Sequence, residues 1–267
     1  MINLDLNITV CIPTRLDNIA YLSELIESIS NQTLLPEVIL IVASGRDRDD
    51  LQNSINILKK RVPSNLNFEF IVSSKKGLAQ ARNIGIDSCK TDILIFSDDD
   101  DIWHRDKIKL VGNAINNNHP CLIKHYHNLS YGNNIRSMPL KVKPFPNPFS
   151  VGYSNLIGGG SSISGSLEVF KAIRFTEYLY CEDWDFWIRS FLAGINIIQI
   201  DKELVTYRVH EKRMTSSFRK VYNYENKIRL KFLNKLFFLL IGIFIGFIKS
   251  TFAYFLRNLI YIFKIFK

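Results

Sequence analysis

The strongest constraint on this chain is the alternation, over its first hundred residues, of short apolar runs with segments of helical period. Residues 8–12 (ITVCI) make a strand-length apolar run closed by Pro13, and residues 17–31 then repeat Ile19, Leu22, Leu25, Ile26 and Ile29 on one helical face. The pattern recurs with a strand at 38–42, a helix at 50–60, a strand at 68–72, a helix at 78–88 and a strand at 92–96. This order predicts an α/β fold with a mostly parallel, Rossmann-like sheet and helices on both faces. In such sheets ligands lie beyond the carboxyl ends of the strands, which singles out Pro13-Thr14-Arg15, Ala43-Ser44-Gly45, residues 73–77 and residues 97–101.

After the fourth strand the pattern predicts a helix at 105–117, with Ile108, Val111, Ala114 and Ile115 inward, and a strand at 121–126. Residues 132–165 are rich in Asn, Pro, Gly and Ser, with PFPNPF at 144–149 and GGGSS at 158–162. That composition reads either as an insertion over a site or as a plain surface loop. A helix at 183–192 and a strand at 196–200 lead to Tyr207-Arg208-Val209-His210.

Charge divides the chain. The net charge is +9, but residues 227–267 hold eight basic residues and no acidic one, leaving +1 for residues 1–226. The excess sits in an apolar, aromatic tail, so it points to an anionic membrane surface and not to nucleic acid. Residues 236–248 are 13 consecutive apolar or glycine positions, short of the roughly 20 that span a bilayer. Interfacial helices fit this pattern best, one tilted spanning helix second, a core helix or dimer contact third. We therefore expect two parts, an α/β domain over 1–220 and a helical, membrane-associating tail over 221–267. The four cysteines (Cys11, Cys89, Cys121, Cys181) show no metal-ligand spacing, and the N-terminus lacks the basic and apolar regions of a secretory signal. The expected location is the cytoplasmic face of the cell membrane, peripheral or held by a single helix.

Four consecutive aspartates, Asp98, Asp99, Asp100 and Asp101, follow the apolar strand, where a parallel sheet presents them at its carboxyl edge. Adjacent carboxylates repel, and a hard divalent cation is an effective counter-ion that also binds phosphates. The plainer alternative is an acidic turn capping the next helix.

Taken with these aspartates, four motifs in order give the chain a resemblance to the family 2 glycosyltransferases of GT-A fold, over about residues 6–215. They are the opening strand with Pro13-Thr14, Gly77-Leu-Ala-Gln-Ala-Arg-Asn-Ile-Gly85, Phe96-Ser-Asp-Asp-Asp-Asp-Ile-Trp103, and Glu182-Asp-Trp-Asp185. The resemblance implies inverting transfer of a sugar from a nucleotide-sugar donor, a UDP-sugar favoured, to an acceptor hydroxyl, with Mn²⁺ or Mg²⁺ as cofactor. Alignment on Trp103 places the family's D-x-D pair on Asp98 and Asp100, with Asp100 as the metal ligand and Asp98 and Asp99 near ribose and sugar. Thr14, Arg15 and Arg82 match positions that line the nucleotide, and His210 matches a position near the diphosphate or metal. One departure concerns the base: where the family commonly has V-D-D-G-S, this chain reads Val42-Ala43-Ser44-Gly45-Arg46, so Ser44 replaces a carboxylate as the donor contact.

The resemblance makes Asp183 the catalytic base. By spacing alone Asp183 is an N-cap, and Asp185 stands four residues before Arg189, an ordinary structural ion pair. Gly158 to Ser162 would line the acceptor site. The acceptor class, a glycan or lipid-linked sugar in cell-surface polysaccharide or glycolipid assembly, follows from the tail and the family. The competing functions are a catalytically silent sugar-nucleotide-binding or scaffold protein, which the joint presence of Asp100 and Asp183 argues against, and a nucleotidyltransferase, which would carry a basic Gly-rich loop near the first strand.

Overall fold

The structure is a computed structural model, and it describes residues 7–131, 134–136, 158–210, 218–232 and 244–252. Its first half follows the alternation just set out. The elements are β1 (Ile8–Thr14), α1 (Ile19–Ser30), β2 (Val38–Ser44), α2 (Arg48–Lys59), β3 (Phe68–Ser73), α3 (Leu78–Ser88) and β4 (Ile93–Phe96). There follow β5 (Ile102–Trp103), α4 (Lys107–Asn116), β6 (Leu122–Tyr131), β7 (Asn134–Arg136) and a 3₁₀ turn (Gly160–Ser162). Then come β8 (Ser164–Ser166), α5 (Leu167–Ile173), α6 (Glu182–Leu192), β9 (Ile197–Arg208) and α7 (Phe218–Phe232), and residues 244–252 form a last helix, α8.

One sheet runs in the order β3-β2-β1-β4-β8-β6-β9-β5, with β7 beside β6. The first four strands are parallel, β8 and β5 run antiparallel to their neighbours, and β6 and β9 pair in parallel with irregular register after His125. Alternate residues feed opposite faces. In β1, Ile8, Val10 and Ile12 join α1, α2 and α4 in one core, while Cys11 joins α3, α5, α6 and α7 in the other. Leu40, Val42, Leu94 and Phe96 repeat the second side, which explains why these strands are apolar at every position.

Two parts of the fold differ from the sequence expectation. Residues 158–165 do not form a surface loop: Gly160, Ser161 and Ser162 are buried, and Ser164–Ser166 pairs with both β4 and β6 in mid-sheet. Small polar residues gave no strand signal, yet the position requires them. A Cβ on Gly165 would lie 2.7 Å from the Cys121 carbonyl oxygen and 2.6 Å from Leu122 Cδ2. The PFPNPF stretch lies outside the described residues.

The expected boundary at residue 220 falls inside α7. Ile228 is fully buried, Arg229 is 2% exposed with its guanidinium 5.3 Å from the Trp184 ring, and Lys231 Nζ reaches Asp185 at 3.0 Å. This helix therefore shares the second core. On α8, Phe244, Phe247, Ile248 and Phe252 are exposed, while Gly246 lies against the Arg229 guanidinium. Among the described residues no helix is long and apolar enough to cross a membrane; most of the 236–248 stretch lies outside them.

Gly165→Ala should lower stability by about 1–3 kcal/mol, the usual cost of overpacking a filled core, read as a fall in the urea midpoint. An unchanged midpoint would mean that β8 is not wedged between β4 and β6.

Candidate active site

The site begins where the strands end. Thr14 pairs with Ala43 across β1 and β2, and Cys11 pairs with Phe96 across β1 and β4, so Thr14, Ser44 and the aspartate run emerge along one sheet edge. Thr14 and Ser44 are both 5% exposed. The Thr14 hydroxyl donates to Asp99 Oδ2, which ties the end of β1 to the aspartates. Arg15 is exposed and paired with Asp17 at 2.8 Å, with its side-chain stem beside Gly45. Where the aspartate expected after the second strand is missing, a groove of about 520 Å³ opens, lined among others by Gly45, Arg46, Ser73, Ser74 and Lys76.

Arg82, on α3, is the hub. It is 1% exposed, donates from Nη1 to Glu182 Oε1 at 2.6 Å and from Nη2 to Asp98 Oδ1 at 3.0 Å, and lies 5.2 Å from the Phe175 ring. Burial works against its charge, but Glu182, then Asp98 and Asp183, outweigh that and hold its pKa above the ordinary value. A buried cation with two carboxylate partners is sterically fixed. Gly160 belongs to this arrangement, because a Cβ there would collide with the guanidinium and with Asp98 Oδ1.

The aspartates occupy four different environments. Asp98 is anchored at its backbone N–H by Ser161 Oγ, 2.8 Å, and at its carboxylate by Arg82. Burial pushes Asp99 up to about 7 against the opposing bond from Thr14. Asp100 is likewise raised by burial and then by Asp98, while His210 opposes the shift from 2.8 Å, Nε2 to Oδ2. Asp101 is fully buried and raised well above the carboxylate range by burial, Asp98 and Asp100; it accepts from the Arg208 N–H at 3.2 Å. Asp100 and His210 are thus adjacent, though among the described residues no group of three or more His, Cys, Asp or Glu could hold a metal ion.

The sequence did not single out Lys107, and it named Ser161 only within the 158–162 stretch expected at the acceptor site. Lys107 is fully buried under the aspartates, donates to the Ser161 carbonyl at 2.8 Å and lies 3.8 Å from the Trp103 ring; burial drives its pKa well below the lysine range despite Asp101 and Asp98. Its amine lies within electrostatic reach of Asp101 and Asp98, which partly offset the cost of burying a charge there. A lysine four residues after a tryptophan carries no signal of burial in the sequence.

Helix α6 begins at Glu182, after Cys181 turns through a left-handed φ of 60°. Asp183 is therefore in the first turn and not the cap, with Oδ1 accepting from the Trp184 N–H at 2.8 Å. Burial and the neighbouring Glu182 push its pKa up to about 7, against the pull of Arg82, and the Asp98 charge adds a smaller push. The 182–183 pair divides its work: Glu182 is bound to Arg82, while Asp183 is half-buried. Asp185 is fully buried, as expected of a structural residue, and accepts from Arg189 Nε at 2.7 Å, Thr176 Oγ1 at 2.6 Å and Lys231 Nζ at 3.0 Å. In sum, Thr14, Arg82, Asp98, Asp99, Asp100, Asp183 and His210 interlock in one place, Ser44 lies on the adjoining strand end, and Arg15 points to solvent beside it.

Comparison with known proteins accords with this geometry. The model of the family described as Glycosyl transferase family 2 matches residues 9–174. An Escherichia coli UDP-Gal:alpha-D-GlcNAc-diphosphoundecaprenol beta-1,3-galactosyltransferase is 25% identical over 210 residues, 72% of this chain and 70% of that protein. The amylovoran biosynthesis glycosyltransferase AmsB of Erwinia amylovora is 29% identical over 175 residues, 60% of this chain and 56% of that one. Uncharacterized glycosyltransferases of Rickettsia are also similar, but the chain spans only 33% of their length. Among solved structures, S. aureus TarS 1-349 in complex with UDP-GlcNAc superposes with a TM-score of 0.63 at 19% identity, covering 85% of this chain and 72% of that one, which supports the fold. With the motifs assembled on one GT-A sheet edge and the family model spanning most of the sheet, the chain belongs to glycosyl transferase family 2.

Proposed function

We propose that this protein transfers a sugar, with inversion, from a UDP-sugar to a hydroxyl of a glycan or lipid-linked acceptor, in cell-surface polysaccharide or glycolipid assembly. The observation that carries the reading is the Arg82 bridge: it joins Asp98 of the D-x-D run to Glu182 beside Asp183, so the carboxylates assigned to donor and acceptor are held together by one guanidinium. The galactosyltransferase relative, named for UDP-Gal, and the TarS neighbour bound to UDP-GlcNAc support the choice of donor. The groove at the ends of β2 and β3 would take the nucleoside: Ser44 immediately precedes its lining residue Gly45, and the Arg15 side chain lies against that glycine.

The residues present suit a Mn²⁺ or Mg²⁺ ion. Mg²⁺ is usually held by one or two carboxylates together with substrate phosphates, so a three-residue protein cluster is not required. Asp100, raised by burial and by Asp98 and already beside His210, is a carboxylate that a cation would relieve, and His210 is a borderline ligand next to it. When bound, the ion offsets the charge that develops on the leaving diphosphate.

The chain's own residues perform the rest. Asp183 accepts the proton of the acceptor hydroxyl while that oxygen forms its bond to the anomeric carbon and the bond from that carbon to the diphosphate breaks. Arg82 keeps Asp98 fixed beside the sugar, Thr14 orients Asp99, and Lys107 holds the Ser161 carbonyl under the loop. No covalent intermediate is needed. The exposed aromatic residues of α8 and the basic tail support a position against an anionic cytoplasmic leaflet.

Asp183→Asn should lower kcat about 10²-fold or more with UDP affinity unchanged, whereas Asp185→Asn should cost about 3 kcal/mol of stability by unpairing Arg189 and Lys231. The opposite ranking in a correctly folded protein transfers the base to Asp185. Because the base must be ionised and its pKa is raised to about 7 by burial and Glu182, kcat/KM for the acceptor should rise with pH through about 7 and fall below it. A flat profile from pH 5 to 9 contradicts the assignment. EDTA should abolish donor binding, and Asp100→Ala should reproduce that loss in excess Mg²⁺; full affinity in EDTA removes the metal from the reading. Binding to anionic vesicles should weaken as salt rises, since exposed charges are screened over about 10 Å at 0.1 M; binding that resists both salt and alkaline carbonate indicates a spanning helix.

A further inference from the structure

A second groove, of about 510 Å³, lies outside every step above. Leu179 and Tyr180 form one wall, and Lys220, Asn223, Tyr224 and Lys227 of α7 form the other. Positions 220, 223, 224 and 227 recur at helical spacing, so one face of α7 lines the groove. Its lining is aromatic and cationic. The Tyr180 and Tyr224 rings are 5.4 Å apart, Tyr178 is 6.2 Å from Tyr224, and Lys227 Nζ lies 4.6 Å from the Tyr224 ring centre.

The cations here are not committed to the protein's own carboxylates. Of the basic residues on α7, Arg229 is paired with Glu225 and Lys231 with Asp185, whereas Lys220 and Lys227 are exposed and have no acidic partner among the described residues. Two lysines about two turns apart on one helical face, beside tyrosine rings, suit an anionic group joined to a sugar: the ammonium groups meet the phosphate oxygens, and the rings pack against the C–H face of the sugar.

The groove also adjoins the reaction centre. Tyr180 immediately precedes the Cys181 turn into α6, and three peptide units separate it from Asp183, so their Cα atoms are at most about 11 Å apart. Asp183 and the α7 residue Glu225 both bear electrostatically on Cys181, which places this helix beside the same turn. Away from the site, Gly246 of α8 lies against Arg229 on α7, so the exposed aromatic helix rests on the element that carries the two lysines.

We propose that this groove anchors the acceptor: Lys220 and Lys227 hold the phosphate ester of an anionic glycolipid, and Tyr180 and Tyr224 pack against its sugar, bringing the sugar hydroxyl to Asp183. The proposal rests on the transferase reading and names its acceptor class.

The test uses the full chain, calorimetry, and two probes: decyl α-D-N-acetylglucosaminyl diphosphate, and decyl α-D-N-acetylglucosaminide, which lacks the diphosphate. Wild type should bind the first about tenfold or more tightly than the second, and Lys220→Ala/Lys227→Ala should erase that difference, as loss of charge-assisted contacts requires. Lys220→Arg/Lys227→Arg should restore it, Tyr224→Ala should weaken both probes, and UDP affinity should stay unchanged throughout. Equal binding of the diphosphate probe by wild type and the double alanine variant overturns the proposal. So does a parallel fall in UDP affinity, which assigns the lysines to the donor, and so does a loss confined to anionic phospholipid vesicles, which assigns them to membrane headgroups. Failure of wild type to turn over any UDP-sugar strikes the transferase reading instead, while the two decyl probes still decide the groove.

Discussion

The site depends on one buried cation. Arg82 is nearly inaccessible to water and holds Glu182 and Asp98 at once, so it links α3, α6 and the loop after β4. Removing a guanidinium from water is costly, and two carboxylates at hydrogen-bonding distance are what offset it. Each partner then constrains a neighbour. Glu182, spent on Arg82, raises the proton affinity of Asp183, and Asp98, held in place, adds to the load on Asp99, Asp100 and Asp101.

That load is distributed over separate partners. Thr14 donates to Asp99, His210 pairs with Asp100, the Arg208 N–H meets Asp101, and Lys107 lies below. Four adjacent carboxylates would otherwise repel one another out of a compact loop. The arrangement stays tolerable because each partner comes from a different element: β1, the segment after β9, β9 itself and α4. The same dispersal leaves Asp100 with one imidazole, that of His210, beside it.

A second set of buried contacts gathers around α6. Asp185, buried and saturated by Arg189, Thr176 and Lys231, fixes the helix, so that Asp183 in its first turn keeps a constant position. Helix α7 contributes to that rigidity through Lys231 and Ile228 while presenting Lys220 and Lys227 outward. It therefore serves both the core and the surface, which is why a boundary at residue 220 divides a helix that acts as a unit.

The sequence by itself determined the parallel half of the sheet, because β1 to β4 are buried on both faces and must be apolar throughout, and it marked Asp98 to Asp101 and Asp183 because motif spacing along a strand or helix is local. It also separated Asp185 from Asp183, since an aspartate four residues before an arginine is read from helical period alone. Only the tertiary structure decided the rest. Ser164–Ser166 looks like loop by composition, yet it is mid-sheet because close contact with Cys121 and Leu122 admits no larger residue at Gly165. The local motif marks Arg82 but not its partners, and nothing local to Lys107 reveals its burial: Arg82 meets Glu182 across 100 residues and Lys107 meets Ser161 across 54. Burial and pairing between such distant positions exist only once the chain has closed on itself, and those two effects set the charge, the proton affinity and the orientation of the groups in the site.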